Sequence, residues 1–185
     1  MKTPELKIYT GPMFGGKTTR MLAALERYQY QNRKTMLFKP KIDKRYSQEK
    51  VVTHKGQEHI STLVECGKEI FEKTTEADVV AVDELFMIPN SAEYLLELFK
   101  LGKTILVSTL QLSSQPKGYT AFSQVEKLMP WATSIEICPA VCYKCDRDAF
   151  YTERLSNENS EVLIGGAESY QPVCWHHSLI QEVKI

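Results

Sequence analysis

The sequence has no excess of charge of either sign: lysine plus arginine number 23, and so do aspartate plus glutamate. That balance removes the overall basic field expected of a nucleic-acid binder. It also offers little self-repulsion against association of copies. No run approaches the roughly 18 apolar residues that a membrane span requires. The opening Met1-Lys2-Thr3-Pro4-Glu5 leads into an apolar segment without a signal-peptide core. A cytoplasmic protein with neither membrane nor nucleic-acid partners is therefore expected. Internal repeats and low-complexity tracts are lacking too. Cysteine is scarce, with Cys66, Cys138, Cys142, Cys145 and Cys174 the only five. An odd count with metal-like spacings argues against a disulfide framework and for a reducing compartment.

At 185 residues the chain has the size of one domain, or of one domain with a small module. Leu6-Lys7-Ile8-Tyr9 reads as a strand, and a helix follows from Lys17 to about Gln31 with Met21, Leu22, Leu25 and Tyr28 on its apolar face. Thr35 to Phe38 is a second strand, and the polar stretch holding Asp43, Arg45 and Tyr46 is a loop. Leu63 to Glu72 reads as a helix burying Ile70 and Phe71. Val79 to Val82 is a continuous apolar strand ending on Asp83-Glu84. Ser91 suits the cap of a helix running to about Leu101, and Ile105 to Val107 is another buried strand. Helices alternating with strands that are apolar on both faces predict an α/β fold with a largely parallel, doubly covered sheet. Near Pro139 the texture changes to short β-prone pieces, Ala149 to Leu155 and Glu161 to Ile164, and a Gly165-Gly166 turn. The expected division is 1–138 and 139–185.

Gly11-Pro12-Met13-Phe14-Gly15-Gly16-Lys17-Thr18 fits the phosphate-binding pattern GxxxxGK[ST], placed between a strand and a helix. Glycines let backbone N–H groups curl around phosphate oxygens, and the helix directs its positive end at the same anion. Lys17 reaches the β- and γ-phosphates of ATP, and the Thr18 hydroxyl suits magnesium. A carboxylate at the end of a buried strand is the usual second magnesium group, and Asp83 stands there. Glu84 should point elsewhere, because strand residues alternate faces, and a carboxylate beside the metal suits a general base for an acceptor hydroxyl. The cysteines make a second constellation. Cys142-x-x-Cys145 and Cys174-x-x-His177 are two hooks about thirty residues apart, a donor set for a closed, structural zinc site. His176 is the competing fourth ligand, while Cys66 and Cys138 read as core or incidental.

Together with Lys39-Pro40-Lys41-Ile42-Asp43-Lys44-Arg45-Tyr46, Ala149-Phe150-Tyr151-Thr152 and Ile164-Gly165-Gly166-Ala167-Glu168-Ser169-Tyr170, these segments resemble the type II (zinc-containing) thymidine kinases along nearly the whole chain. The resemblance implies a P-loop, RecA-like kinase domain followed by a small zinc-ribbon and lasso domain. It implies transfer of the ATP γ-phosphate to the 5′-hydroxyl of thymidine, and assembly as a homotetramer. Glu84 would be the base, with Lys17 and Arg45 stabilising transferred charge. Thr18, with Asp83 or with Asp43 through water, would hold magnesium, and Thr19 would complete the ATP loop. The lasso, roughly Leu155 to Val173, would bring Leu163, Ile164, Gly165, Gly166 and Tyr170 to the nucleoside, opposite Met13 and Thr152.

The chain departs from that family where the base should sit. Leu85-Phe86-Met87 stands in place of a small residue followed by Gln-Phe-Phe. Leu110-Gln111-Leu112-Ser113-Ser114 stands in place of a Leu-Asp-Gly-Thr-Phe-like run, and Pro116 replaces an arginine beside a retained Lys117. Met87 and Ser114 in place of aromatic rings predict a roomier, softer pocket, unless Phe86 or Tyr119 fills the wall. Three alternatives follow: a kinase of deoxyuridine or another modified pyrimidine deoxynucleoside, a P-loop and zinc-ribbon ATPase associated with nucleic acid, or a kinase remnant kept as a binding subunit.

Overall fold

A computed structural model describes residues 3–43, 50–52, 58–115, 118–156 and 164–182. In chain order the elements are β1 (Leu6–Thr10), α1 (Lys17–Tyr30), β2 (Thr35–Pro40), β3 (Lys50–Val52), β4 (Glu58–Ile60), β5 (Thr62–Val64) and α2 (Gly67–Lys73). They continue with β6 (Val79–Val82), α3 (Ser91–Lys100), β7 (Thr104–Thr109), β8 (Leu112–Gln115), β9 (Gly118–Ala121), α4 (Ser123–Leu128) and β10 (Ser134–Ile137). The last four are β11 (Ala140–Val141), β12 (Asp148–Ala149), β13 (Tyr151–Arg154) and β14 (Tyr170–Val173). Six strands form one sheet in the order β10-β1-β7-β6-β2-β5, and every pairing within it is parallel. Among the described residues no helix is long and apolar enough to cross a membrane.

Alternation along the strands explains the two layers. Val79 and Ala81 of β6, with Leu106 of β7 and Tyr9 of β1, pack against Met21, Leu22, Leu25 and Tyr28 of α1. The intervening Val80, Val82, Ile105, Val107 and Ile8 face the other way, onto Ile70, Leu95, Leu98 and Val125 of α2, α3 and α4. Side chains alternate with a period of two, so a central strand covered on both faces must be apolar throughout. β6 and β7 are buried at every position.

Two helix boundaries differ from the sequence expectation. Leu63 and Val64 belong to β5, which adds to the sheet edge beside Lys39 and Pro40, and the helix begins only at Gly67. A local apolar pattern cannot separate an edge strand from a first helical turn; the pairing with β2 decides. Ser91 is the first residue of α3 rather than its cap. Asn90 holds the cap position in a left-handed conformation, φ 56°, which asparagine tolerates better than most residues. The Ala92 N–H is met by Gln124 Oε1 of α4 at 3.0 Å, so a neighbouring helix does the capping. Gly67 is fixed by close approach, because a Cβ there would lie 2.5 Å from the Asn90 carbonyl oxygen.

After β10 the chain builds two small antiparallel ribbons, β11 with β12 and β13 with β14. They share a satellite core of Ala140, Cys142, Ala149, Val173 and Cys174. β14, the hairpin of β8 and β9, the helix α4 and the strand β10 were not foreseen from the sequence.

Candidate active site

All strands of the sheet run the same way, so the loops after β1, β2, β6, β7 and β10 gather at one edge, where ligands bind in open α/β sheets. The Gly11–Thr18 loop follows β1 there. Gly16 caps α1 in a left-handed conformation, φ 74°, with no side-chain cap, which leaves the first N–H groups of a 14-residue helix directed at the loop. Lys17 is buried, and its Nζ donates to the Pro12 carbonyl at 2.7 Å. The loop also leans on a backbone group. A Cβ at Gly11 would stand 2.4 Å from the Cys138 carbonyl oxygen, and one at Gly15 only 2.2 Å from it. These two glycines are therefore set by packing against the end of β10. Cys138, expected to be core or incidental, is a fully buried core residue and supplies that carbonyl.

Asp83 is buried at the end of β6, and its Oδ1 accepts the Thr18 hydroxyl at 2.8 Å and the Ser108 hydroxyl. Burial, then the neighbouring Glu84 charge, pushes the Asp83 carboxyl up to about 6, against the opposing effects of Ser108, Thr18 and Lys17. Thr18, Asp83 and Ser108 thus form one oxygen cluster beside the phosphate loop, chemistry that suits a hard divalent cation. Ser108 was missed in the sequence, although a hydroxyl at the C-terminal end of an apolar parallel strand was the signal for it. Asp43 is buried in the turn after β2, the strand next to β6. Arg45 and Leu163 lie outside the described residues. Thr19 is half-buried in the first turn of α1.

Glu84 does turn away from Asp83, but for another reason than strand alternation. β6 ends at Val82, and Glu84 adopts a left-handed conformation, φ 51°, before a 3₁₀ turn at Leu85–Met87. That turn faces Glu84, Phe86 and Met87 into a narrow cavity that leaves only about 20 Å³ of free volume to water-sized spheres. Met13 of the phosphate loop, Thr152, Arg154, Gly165 and Tyr170 also line it, and Leu110, Leu112, Ser113, Ser114 and Phe122 complete it. Met13 N–H donates to Thr152 Oγ1 at 2.9 Å, which ties the phosphate loop to β13. Ser114 Oγ accepts the Arg154 N–H at 3.0 Å.

Of the residues expected at the nucleoside, Met13, Phe86, Met87, Leu110, Thr152, Gly165 and Tyr170 are brought together here. Ile164 and Gly166 flank Gly165 without lining the cavity. Tyr119 is also outside it. Its ring meets Tyr151 edge-on at 6.0 Å, because β9 turns that face toward the C-terminal ribbons. Phe122, Leu112, Ser113 and Arg154 were missed; no local pattern marks residues that converge from a hairpin, a helix start and a distant strand.

The donor atoms of Cys142, Cys145, Cys174 and His177 all lie within 4.8 Å of one another. Cys145 Sγ and Cys174 Sγ are 3.8 Å apart, and His177 Nδ1 is 3.4 Å from the Cys142 and Cys174 sulfurs. A tetrahedron with zinc–sulfur bonds of about 2.3 Å has edges of about 3.8 Å, so the cluster is compatible with structural zinc. Desolvation opposes ionisation of Cys142, yet backbone hydrogen bonds from Cys174 and Lys144 and the His177 ring bring its thiol down to about 6. Between the two histidines the structure selects His177 over His176.

A family model described as thymidine kinase matches residues 4–178. The thymidine kinase of Thermococcus kodakarensis is 36% identical over 190 residues, spanning 96% of this chain and 95% of that protein. That of Pyrobaculum aerophilum is 34% identical over 185 residues, spanning 95% and 98%. The cytosolic thymidine kinase of Gallus gallus is 32% identical over 171 residues, spanning 92% and 75%. With the phosphate loop, the strand-end carboxylate pair and the adjoining cavity on one sheet edge, the chain belongs to the thymidine kinase family.

Proposed function

We propose that this chain transfers the γ-phosphate of ATP to the 5′-hydroxyl of thymidine. One observation carries the reading. Met13 of the phosphate loop and Glu84, next to Asp83, line the same cavity, so a nucleoside held there places its hydroxyl between the donor phosphate and a carboxylate. Glu84 takes the hydroxyl proton as the oxygen attacks. Lys17, with Arg45, offsets negative charge on the transferred group, and the α1 N-terminus adds to that field. Thr18, with Asp83 or with Asp43 through water, would hold magnesium, which supplies charge neutralisation on the phosphates when bound. Gly165 and Tyr170, with Leu163, close over the base and keep water from competing with the hydroxyl. Radiolabelled ATP incubated with a panel of nucleosides, with and without single-stranded DNA, tests the reading. Thymidine is expected to be labelled independently of DNA. Absence of label on every pyrimidine deoxynucleoside would overturn the kinase assignment, and DNA-stimulated ATP hydrolysis would favour an ATPase.

We further read 139–185 as a unit closed by zinc, and the working form as a cytoplasmic homotetramer. Protein purified without chelator is expected to carry about one zinc per chain. Cys142→Ser or Cys174→Ser should release the metal and raise the nucleoside KM more than the ATP KM, because Tyr170 and Thr152 lie on the ribbons that the cluster anchors. Elemental analysis and separate KM values check this. Metal-free wild-type protein with full activity would sink the zinc proposal.

A further inference from the structure

β13 supplies two side chains to the cavity, Thr152 and Arg154, and each is held from in front. Thr152 Oγ1 accepts the Met13 N–H at 2.9 Å, and the Arg154 N–H donates to Ser114 Oγ at 3.0 Å. A ribbon of two four-residue strands is marginal by itself, so its other face needs a brace. Glu153 stands between the two residues and, because successive strand side chains point to opposite faces, behind them. It is only 7% exposed, a burial that a carboxylate accepts only with partners. Its Oε1 accepts the Leu179 N–H at 2.9 Å, and its Oε2 lies 3.5 Å from Nε2 of its cross-strand neighbour Gln171.

Leu179 opens a 3₁₀ turn, Leu179–Glu182, soon after the turn that carries His177. The first N–H groups of such a turn have no partner within it, and the Glu153 carboxylate caps one of them. β9 packs against the same turn. Burial, and then the Glu153 charge, push the Tyr119 phenol of β9 up, against the opposing effect of the Leu179 N–H. Three separate parts of the chain therefore meet on one carboxylate.

We propose that Glu153 is a positioning residue for the reaction: by capturing the Leu179 N–H it fastens the segment after His177 to the back of β13, and so fixes where Thr152 and Arg154 stand in the cavity. The inference rests on the reading of that cavity as the nucleoside site. A backbone N–H donating to a carboxylate is one of the stronger hydrogen bonds, and losing either partner leaves the other buried and unmet. Leucine at position 153 removes the acceptor, whereas glutamine keeps an oxygen at the same reach. Proline at position 179 removes the donor instead. Ser178 is extended, φ −93° and ψ 150°, as a residue before proline must be, and the first position of a helical turn accepts proline.

The test compares wild type, Glu153→Gln, Glu153→Leu, Leu179→Pro and the double variant Glu153→Leu/Leu179→Pro. Thymidine KM, ATP KM, kcat and the unfolding temperature are measured for each. Glu153→Leu and Leu179→Pro should each raise the thymidine KM about tenfold or more, with the ATP KM as in wild type. The double variant should be no worse than either single one, because both remove the same bond. Glu153→Gln should stay with wild type. Leu179→Pro, at an exposed side chain, carries the test if Glu153→Leu does not fold. Additive effects in the double variant, or a joint decline of kcat, both KM values and the unfolding temperature, would mark Glu153 as structural packing and overturn the proposal. An unmoved thymidine KM in both single variants would overturn it as well. Failure of wild type to phosphorylate thymidine would overturn the kinase reading, and this inference with it, before any variant is compared.

Discussion

Glu84→Gln is expected to lower kcat by about 10² or more while leaving ATP affinity near that of wild type. The amide keeps the size of the side chain and cannot take the proton of an attacking hydroxyl. Thr18, Asp83 and Lys17, grouped at the phosphate loop, are untouched by it. The left-handed backbone at Glu84, φ 51°, adds a second readout. Such a conformation costs a non-glycine residue roughly 1–3 kcal/mol, and this kind of strain collects at functional sites. Glu84→Gly should therefore lose activity as Glu84→Gln does, yet unfold at an equal or higher temperature. Steady-state kinetics with thymidine, ATP titration and thermal unfolding of both variants decide the matter. Near-normal turnover by Glu84→Gln would remove Glu84 from its role as base.

Gly15→Ala should be severely damaging to the phosphate loop. Its Cβ would meet the Cys138 carbonyl oxygen at 2.2 Å, and a backbone oxygen at a strand end cannot swing aside as a side chain does. Either the loop or the end of β10 must move, and a misplacement of about 1 Å in a positioning element costs on the order of 10²-fold in rate. Gly16→Ala provides the contrast. Nothing lies within 4 Å of its added Cβ, and only the left-handed φ of 74° is unfavourable, worth roughly 1–2 kcal/mol. Gly15→Ala is thus expected to lose ATP binding and turnover together, and Gly16→Ala chiefly stability. Equal, mild effects of both on ATP affinity would show that the contact with Cys138 does not position the loop.

The sequence by itself determined the chemistry that is local along the chain. The phosphate loop, the helix that follows it with Met21, Leu22, Leu25 and Tyr28 inward, and the fully apolar β6 ending on Asp83 were all legible. Each rests on a spacing of a few residues, set by helix or strand periodicity or by the needs of one anion. The two cysteine hooks were legible for the same reason, since each pair of ligands comes from a single turn. Tertiary structure alone decided what depends on convergence. The Leu63–Val64 pair became a strand because β2 offered it an edge, and Glu84 was aimed by a left-handed turn rather than by alternation. Cys138 touches the phosphate loop only because β10 lies beside β1, more than a hundred residues away in sequence. The wall of the cavity beside Glu84 shows this most plainly. Met87 and Ser114 suggested a soft pocket, with Phe86 or Tyr119 as a substitute ring; the hairpin of β8 and β9 turned Tyr119 toward the ribbons, while Phe86 lines the cavity and packs on Phe122. No local period encodes that meeting, because the residues that form it belong to separate elements whose packing fixes their distance.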